Sequence, residues 1–380
     1  MEHLKVLYIL HVANNSGSVI SLLNLITEIS KRGIQPIVVY PQLGSTKQAV
    51  LDEFVNSGAI IEKGIVDQSA FFTDSNLLKR IYHNIKIPIN RFRAKRSIDS
   101  IIRKYKPDII HTNSGIAQIG FSMAKKYNIP HVWHIREYLT KDFNKKLYPN
   151  EKTVRDLYGH SYTICITKDI QSYFLLDNNT RSRVIYNPIF SKNQLSCSIS
   201  PKKNYFFVAS RIGAEKGIDE IIDSFIEAYN FNNEIKLLIA GEGPEKEKYL
   251  KKYEMYISQG IIEFLGFIND VRPYMLEAKA LLVGSRYEGF GRMTAEANMM
   301  GCMVIGRNSA GTKEILTSTK GGFLYNDKED LKNCILQASN MTSDETIEFM
   351  RESRETAINL YNNEKSAQEV LDLYYSIVKK

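Results

Sequence analysis

Apolar positions along the chain fall into short runs of strand length separated by stretches with helical spacing, and the two alternate. Leu4–Leu10 is one such run, Asn14–Ser18 follows as a polar loop, and Val19–Ile29 then repeats apolar residues every three or four positions until Lys31, Arg32 and Gly33 end it. The order is strand, loop, helix. It continues with strands predicted over Gln35–Tyr40, Asp108–His111, His131–His134 and Thr163–Thr167, and with a short helix over Ile119–Lys126. Repetition of this kind predicts a parallel sheet covered by helices.

A strand over Val184–Tyr186 ends in Asn187 and Pro188. The stretch Ser191–Lys203, with Ser191, Ser196, Ser198, Ser200 and Pro201, then reads as a linker. A second alternating series follows: strands over Tyr205–Ala209, Lys236–Ala240, Ile262–Leu265, Ala280–Val283 and Met303–Gly306, with a helix whose Ile218, Ile221, Ile222, Phe225 and Tyr229 share a face. The expectation is two α/β domains, residues 1–188 and 189–362. A last helix, 363–380, is expected to follow, with Ala367, Val370, Leu371, Tyr374 and Ile377 on one face. In such sheets ligands sit beyond the carboxyl ends of the strands. The loops that follow strands therefore carry the candidate chemistry, and a cleft between two facing sheets is the expected active site.

Composition narrows the picture. With 380 residues, 43% hydrophobic and 24% charged, the chain can fill two cores and is neither disordered nor collagenous. Cys165, Cys197, Cys302 and Cys334 make no Cys-x-x-Cys pair, so reduced structural thiols are expected. The opening Met-Glu-His-Leu-Lys is unlike a secretory signal, and no apolar stretch approaches the roughly 20 residues that span a bilayer, so a cytoplasmic location is expected.

The net charge of +8 is unevenly placed: residues 1–190 carry +11 and the remainder −3. Ten basic residues against the single acid Asp99 lie between Lys79 and Lys106, including Arg91, Arg93, Lys95 and Arg96. Phe92, Ile98, Ile101, Ile102 and Tyr105 are close to helical spacing among them. Segment 79–106 thus reads either as a solvated helix face or as a peripheral contact with the anionic inner face of the cell membrane. The acidic second half argues against a nucleic-acid track.

The most informative segment follows the strand at Ala280–Val283: Ser285-Arg286-Tyr287-Glu288-Gly289-Phe290-Gly291-Arg292-Met293-Thr294-Ala295-Glu296. Glycines let the backbone approach a ligand, and free amides at a helix start suit phosphate. Glu288 in the loop and Glu296 about one turn into the helix can each accept hydrogen bonds from paired hydroxyls, as on a sugar or a ribose. After Tyr205–Ala209, the loop Ser210-Arg211-Ile212-Gly213-Ala214-Glu215-Lys216-Gly217 offers two cations for a diphosphate. Gly241-Glu242-Gly243-Pro244 adds a turn of weaker meaning, because the dinucleotide fingerprint is not completed.

These residues, with Glu296-Ala297, Gly301, Gly311-Thr312-x-Glu314-Ile315, Gly322, Leu265-Gly266 and Asn187-Pro188, resemble the donor-binding signature of the large retaining glycosyltransferase family 4. The resemblance covers most of residues 184–325. It implies the GT-B fold, two Rossmann-like doubly wound domains with the last helix, 363–380, packing back on the first, and hexosyl transfer from a nucleotide sugar, with UDP expected, to a glycan or lipid-linked acceptor in surface polysaccharide synthesis.

Position by position, the resemblance implies that Glu296 binds the ribose and Glu288 the donor sugar, while Arg211 and Lys216 neutralise the diphosphate. The backbone around Gly289, Phe290, Gly291 and Arg292 adds hydrogen bonds, and the loop with Gly266 and Phe267 flanks the base. Gly241 belongs to the same donor pocket. Gly17 stands in a glycine loop whose usual first glycine is here Ser16. His134 matches a histidine facing the donor sugar, and His111 a second strand-end histidine that reads as structural. No Asp-x-Asp occurs, so cations and helix amides are expected to do the work of a metal, and no cofactor is expected. Two other readings remain: a sugar-nucleotide epimerase or hydrolase of the same architecture, and a non-enzymatic anion-binding module.

Overall fold

The computed structural model describes residues 4–42, 44–73, 77–196 and 198–378, with side chains of 77–84 excluded. Cys197 and the last two lysines lie outside the described residues, as do the side chains of Lys79 and Arg80. The chain divides into two compact units, Met1–Ile189 with Asn363–Lys380, and Phe190–Asn362.

The first unit contains strands β1 (Leu4–Ile9), β2 (Ile34–Pro41), β3 (Ile60–Gly64), β4 (Ala70–Phe72), β5 (Ile109–Thr112), β6 (His131–Ile135), β7 (Lys145–Leu147), β8 (Tyr162–Cys165) and β9 (Ser182–Val184). Seven of them form a parallel sheet in the order β3-β2-β1-β5-β6-β8-β9, while β4 and β7 pair antiparallel as a separate ribbon. The pleat sends Val6 and Tyr8 to one face, where they meet Leu22, Leu25, Ile26, Val370 and Leu371 from the helices Gly17–Ser30 and Asn363–Val378. Leu7 and Ile9 turn to the opposite face and pack with Ile98, Ile101, Ile102 and Met123. Burial on both faces explains why β1 reads as a near-continuous apolar run.

The second unit contains β10 (Tyr205–Ala209), β11 (Lys236–Ala240), β12 (Ile262–Gly266), β13 (Ala280–Val283), β14 (Met303–Arg307) and β15 (Gly322–Tyr325). Its sheet is parallel throughout, in the order β12-β11-β10-β13-β14-β15. The helix Ile218–Tyr229 buries Ile218, Ile221, Ile222 and Phe225 against Phe206 and Val208. Each such side chain stabilises the fold by roughly 1.5–3 kcal/mol. In both sheets the strand order reverses beside the first strand of the unit, which is where doubly wound folds bind ligands.

Several elements depart from expectation. β9 ends at Val184, short of Tyr186. Although the Ile185 amide still donates to the Cys165 carbonyl at 3.1 Å, the Asn187 side chain is drawn inward to Arg136. β3, whose sequence IIEKG is largely half-exposed, had no alternation to announce it. The basic helix spans Leu77–Tyr105 and runs through Pro88. Its buried row is Ala94, Ile98, Ile101 and Ile102, whereas Phe92 is 58% exposed and does not join the face assigned to it. Among the described residues no helix is long and apolar enough to cross a membrane.

Candidate functional site

In the second unit the loops after β10, β11, β12 and β13 interlock through their backbones. Gly241 adopts φ +142°, and a Cβ there would lie 1.9 Å from the Ser210 carbonyl oxygen. Its amide donates to the Gly266 carbonyl at 2.7 Å, and the Ile212 amide donates to the Glu242 carbonyl at 2.9 Å. Gly241 and Gly266 thus shape the loops that carry Arg211 and Lys216. Packing alone demands a glycine at 241, whatever the loop binds.

The chain leaves β13 through Gly284 and reaches Gly291, which sits at φ +86° as the N-cap of the helix Arg292–Met299 without any side-chain cap. The segment is pinned from below: the Gly311 amide donates to the Glu288 carbonyl at 2.9 Å and the Ser309 hydroxyl to the Arg286 carbonyl at 2.5 Å. Phe290 turns inward, 4% exposed, and meets Tyr361 edge-on at 5.6 Å, so only its backbone is available to a ligand. Phe267, by contrast, is 73% exposed.

Two ion pairs organise the charged residues. Lys216 Nζ lies 2.6 Å from Glu288 Oε1, each side chain a quarter exposed. Arg292 Nε lies 2.7 Å from Glu296 Oε1, one helical turn away and further from solvent. Burial pushes the Glu296 carboxyl above the usual carboxylate range, opposed by Arg292 and Arg272. Arg211 is mostly exposed and reaches Glu215 at 3.0 Å. The sequence reading put Lys216 on a diphosphate and Glu288 on a sugar. The structure brings these two together, so a bound ligand would divide a cation and a carboxylate that already hold each other in place. Partly exposed pairs of this sort contribute only about 0–1 kcal/mol and exchange readily.

Two residues beside this helix start stand within the quoted motifs but were given no role of their own. Thr294 and Thr312 are fully buried, and neither hydroxyl has a hydrogen-bond partner among the described residues. Both flank Gly291: a Cβ there would lie 3.3 Å from Thr312 Oγ1 and 3.5 Å from Thr294 Oγ1. An uncapped helix start beside unpartnered hydroxyls has the donors that an anion needs. Threonines are too common for sequence spacing to have marked them.

In the first unit Gly17 opens the helix Gly17–Ser30, again with no side-chain cap at Ser16. His134 is the penultimate residue of β6 and is buried. Its Nδ1 lies 3.2 Å from His111 Nε2 and 3.2 Å from Arg136 Nη2, and its Nε2 is buried without a hydrogen-bond partner among the described residues. Burial, with the Arg136 charge, holds both histidines far below the ordinary imidazole range, so both are neutral at pH 7. His111, taken as structural, is fully buried and bonds Tyr374 at 2.6 Å. Arg136 is itself anchored by Asn113 at 2.8 Å and Asn187 at 2.5 Å.

Comparison with known proteins places this arrangement. The description Glycosyltransferase Family 4 matches residues 15–190, and Glycosyl transferases group 1 matches residues 192–357. The chain belongs to the family 4 glycosyltransferases of GT-B fold. This transferase is 26% identical over 280 residues to an uncharacterized protein in the cps region of Klebsiella pneumoniae, covering 68% of this chain and 72% of that one. It is 23% identical over 312 residues to the alpha-monoglucosyldiacylglycerol synthase of Acholeplasma laidlawii, covering 73% and 78%. Among solved structures it resembles Anabaena HepE in complex with UDP and glucose, with a TM-score of 0.75 at 18% identity over 98% of this chain and 100% of that one. It is a glycosyltransferase that acts on a nucleotide sugar.

Proposed function

We propose that this glycosyltransferase moves a hexosyl group from a UDP-sugar, with retention, to a glycan or lipid-linked acceptor of surface polysaccharide synthesis. The observation that carries the reading is the uncapped helix at Gly291, flanked by the Lys216–Glu288 and Arg292–Glu296 pairs and by two free hydroxyls. The relative from a cps region supports the pathway, and the UDP complex of HepE supports the base.

On this reading the helix amides, Arg211 and Lys216 take up the charge that develops on the diphosphate as the anomeric carbon–oxygen bond breaks. Glu288 then turns from Lys216 to a sugar hydroxyl, Glu296 holds the ribose, Phe267 covers the base, and His134 donates to the donor sugar. The acceptor oxygen bonds the anomeric carbon from the face the leaving group departs. Its proton passes to the departing phosphate oxygen, and no metal takes part. A thermal-shift screen of nucleoside diphosphates in EDTA tests this. UDP should raise the melting temperature most; a response that requires a divalent cation, or no response from folded protein, counts against it.

The same proposal places the enzyme in the cytoplasm, touching the inner membrane face through the basic helix. Ile85, Ile89 and Phe92 are each more than half exposed, at spacings of four and three, among the exposed Lys86, Arg93, Lys95 and Arg96. An apolar row with flanking cations suits the surface of an anionic bilayer, and the diacylglycerol-glucosylating relative supports a lipid acceptor. Vesicles rich in anionic lipid should sediment the protein at low salt and release it at high salt. Recovery that ignores salt would remove membrane contact from the proposal.

A further inference from the structure

Inside the first unit, four side chains from three distant parts of the sequence form one line of hydrogen bonds. Tyr8 Oη on β1 lies 2.9 Å from Tyr374 Oη on the helix Asn363–Val378, and Tyr374 Oη lies 2.6 Å from His111 Nδ1 on β5. His111 Nε2 then faces His134 Nδ1 at 3.2 Å. All four residues are buried at 2% exposure or less.

The direction of this line follows from one partner. A guanidinium only donates, so the Arg136 Nη2 contact to His134 Nδ1 makes that nitrogen an acceptor. Both imidazoles are neutral, because burial and the Arg136 charge oppose protonation. The His134 proton is then on Nε2. His111 Nε2, facing a lone pair, must carry its own proton and donate, which leaves His111 Nδ1 to accept from Tyr374. The Tyr374 oxygen in turn accepts from Tyr8. One arrangement satisfies every contact, and it ends at His134 Nε2–H, the buried donor with no protein partner. A donor left in that condition costs free energy unless a ligand oxygen meets it.

We propose that Tyr374 and Tyr8, acting through His111, are positioning residues that hold His134 in its Nε2–H form so that it can donate to an oxygen of the bound donor sugar. The inference rests on the proposed role of His134. The helix Asn363–Val378 thereby does more than cover a sheet: its Tyr374 hydroxyl donates to His111 Nδ1 and reinforces, from the far side, the His134 tautomer that the Arg136 contact requires.

Two experiments test this. In protein labelled with ¹⁵N-histidine, long-range proton–nitrogen correlation at pH 7 should show protonated Nε2 on both His111 and His134. A proton on His134 Nδ1 overturns the proposal without bearing on donor identity, and the expected tautomers in a protein that binds no sugar nucleotide would overturn the proposed function instead. Second, Tyr374→Phe keeps the ring and removes the hydroxyl. It should lower kcat by about 3- to 10-fold, the worth of one neutral hydrogen bond, with nucleoside diphosphate affinity unchanged. Placed on a His134→Ala background, the same substitution should have no further effect. An equal loss on both backgrounds would show that Tyr374 acts on packing and not through His134. Should Tyr374→Phe fold poorly, Tyr8→Phe provides the same pair of comparisons from the far end of the line.

Discussion

The two regions that carry polar side chains in this transferase are built on opposite principles. In the second unit the loops after β10 and β13 present charged groups that are partly wet and paired with one another, Lys216 with Glu288 and Arg292 with Glu296. In the first unit, the ends of β5 and β6 hold neutral imidazoles, fully desolvated and linked through tyrosines to a helix far along the chain. The wet region can exchange partners at small cost, which suits a ligand that brings its own charges. The dry region cannot exchange anything without leaving a buried polar group unpaired. Adaptable charge and fixed orientation are thus separated onto different sheets.

The largest effect should come from the wet region. Glu288→Gln should slow transfer by about 100-fold, as for loss of a preorganised electrostatic contact, while UDP still raises the melting temperature. Retained activity in steady-state assays would break the contrast at its most charged point. Arg211→Ala with Lys216→Ala should weaken nucleoside diphosphate binding by about 10- to 100-fold through lost charge-assisted hydrogen bonds and flatten its dependence on salt. Titration calorimetry at two ionic strengths measures both, and an unchanged salt dependence would mean that the charge lies elsewhere.

The smallest effect sharpens the dry side. Glu137 follows β6, is buried, and bonds the Ser114 hydroxyl and the Gly115 amide. Burial, reinforced by Asp142 and opposed by Arg136, pushes its carboxyl up to about 7. The folded state therefore keeps a proton that the unfolded chain loses near 4.5, and stability falls as pH rises between these values. Glu137→Gln removes that slope. The variant should lie closest to the parent near pH 5 and gain on it by about 2–3 kcal/mol up to pH 8, most of the worth of a shift from 4.5 to about 7 at roughly 1.4 kcal/mol per pKa unit. Urea midpoints at the two pH values decide the matter, and parallel pH profiles would refute it.

The wet region was legible in the sequence because its chemistry is local. Glu288 and Glu296 lie eight residues apart on one loop and helix, and Arg211 and Lys216 on another, each directly after an apolar run. The dry region was not. Tyr8 sits within an apolar run and Tyr374 within a helical stripe, where a tyrosine reads as core, and their hydroxyls meet across 366 residues of chain. His111 and His134 could be placed at strand ends by pattern, but which nitrogen faces which partner depends on the register of β5 and β6. Thr294 and Thr312 stood in the quoted motifs without a role for a related reason, since only the turn at Gly291 brings both hydroxyls beside one helix start. The parallel sheets followed from repeated strand–helix alternation, whereas the antiparallel ribbon of β4 and β7 had no periodicity long enough to see.

The helix Asn363–Val378 also constrains how the enzyme is made. Its Val370, Leu371 and Tyr374 complete the apolar layer that begins with Val6 and Tyr8. At roughly 5–20 residues per second on the ribosome, tens of seconds separate the emergence of the two ends of that layer. During this interval the unit Phe190–Asn362, continuous in sequence, can finish folding while β1 still shows one apolar face to solvent. The part of the protein synthesised first is therefore the last to close.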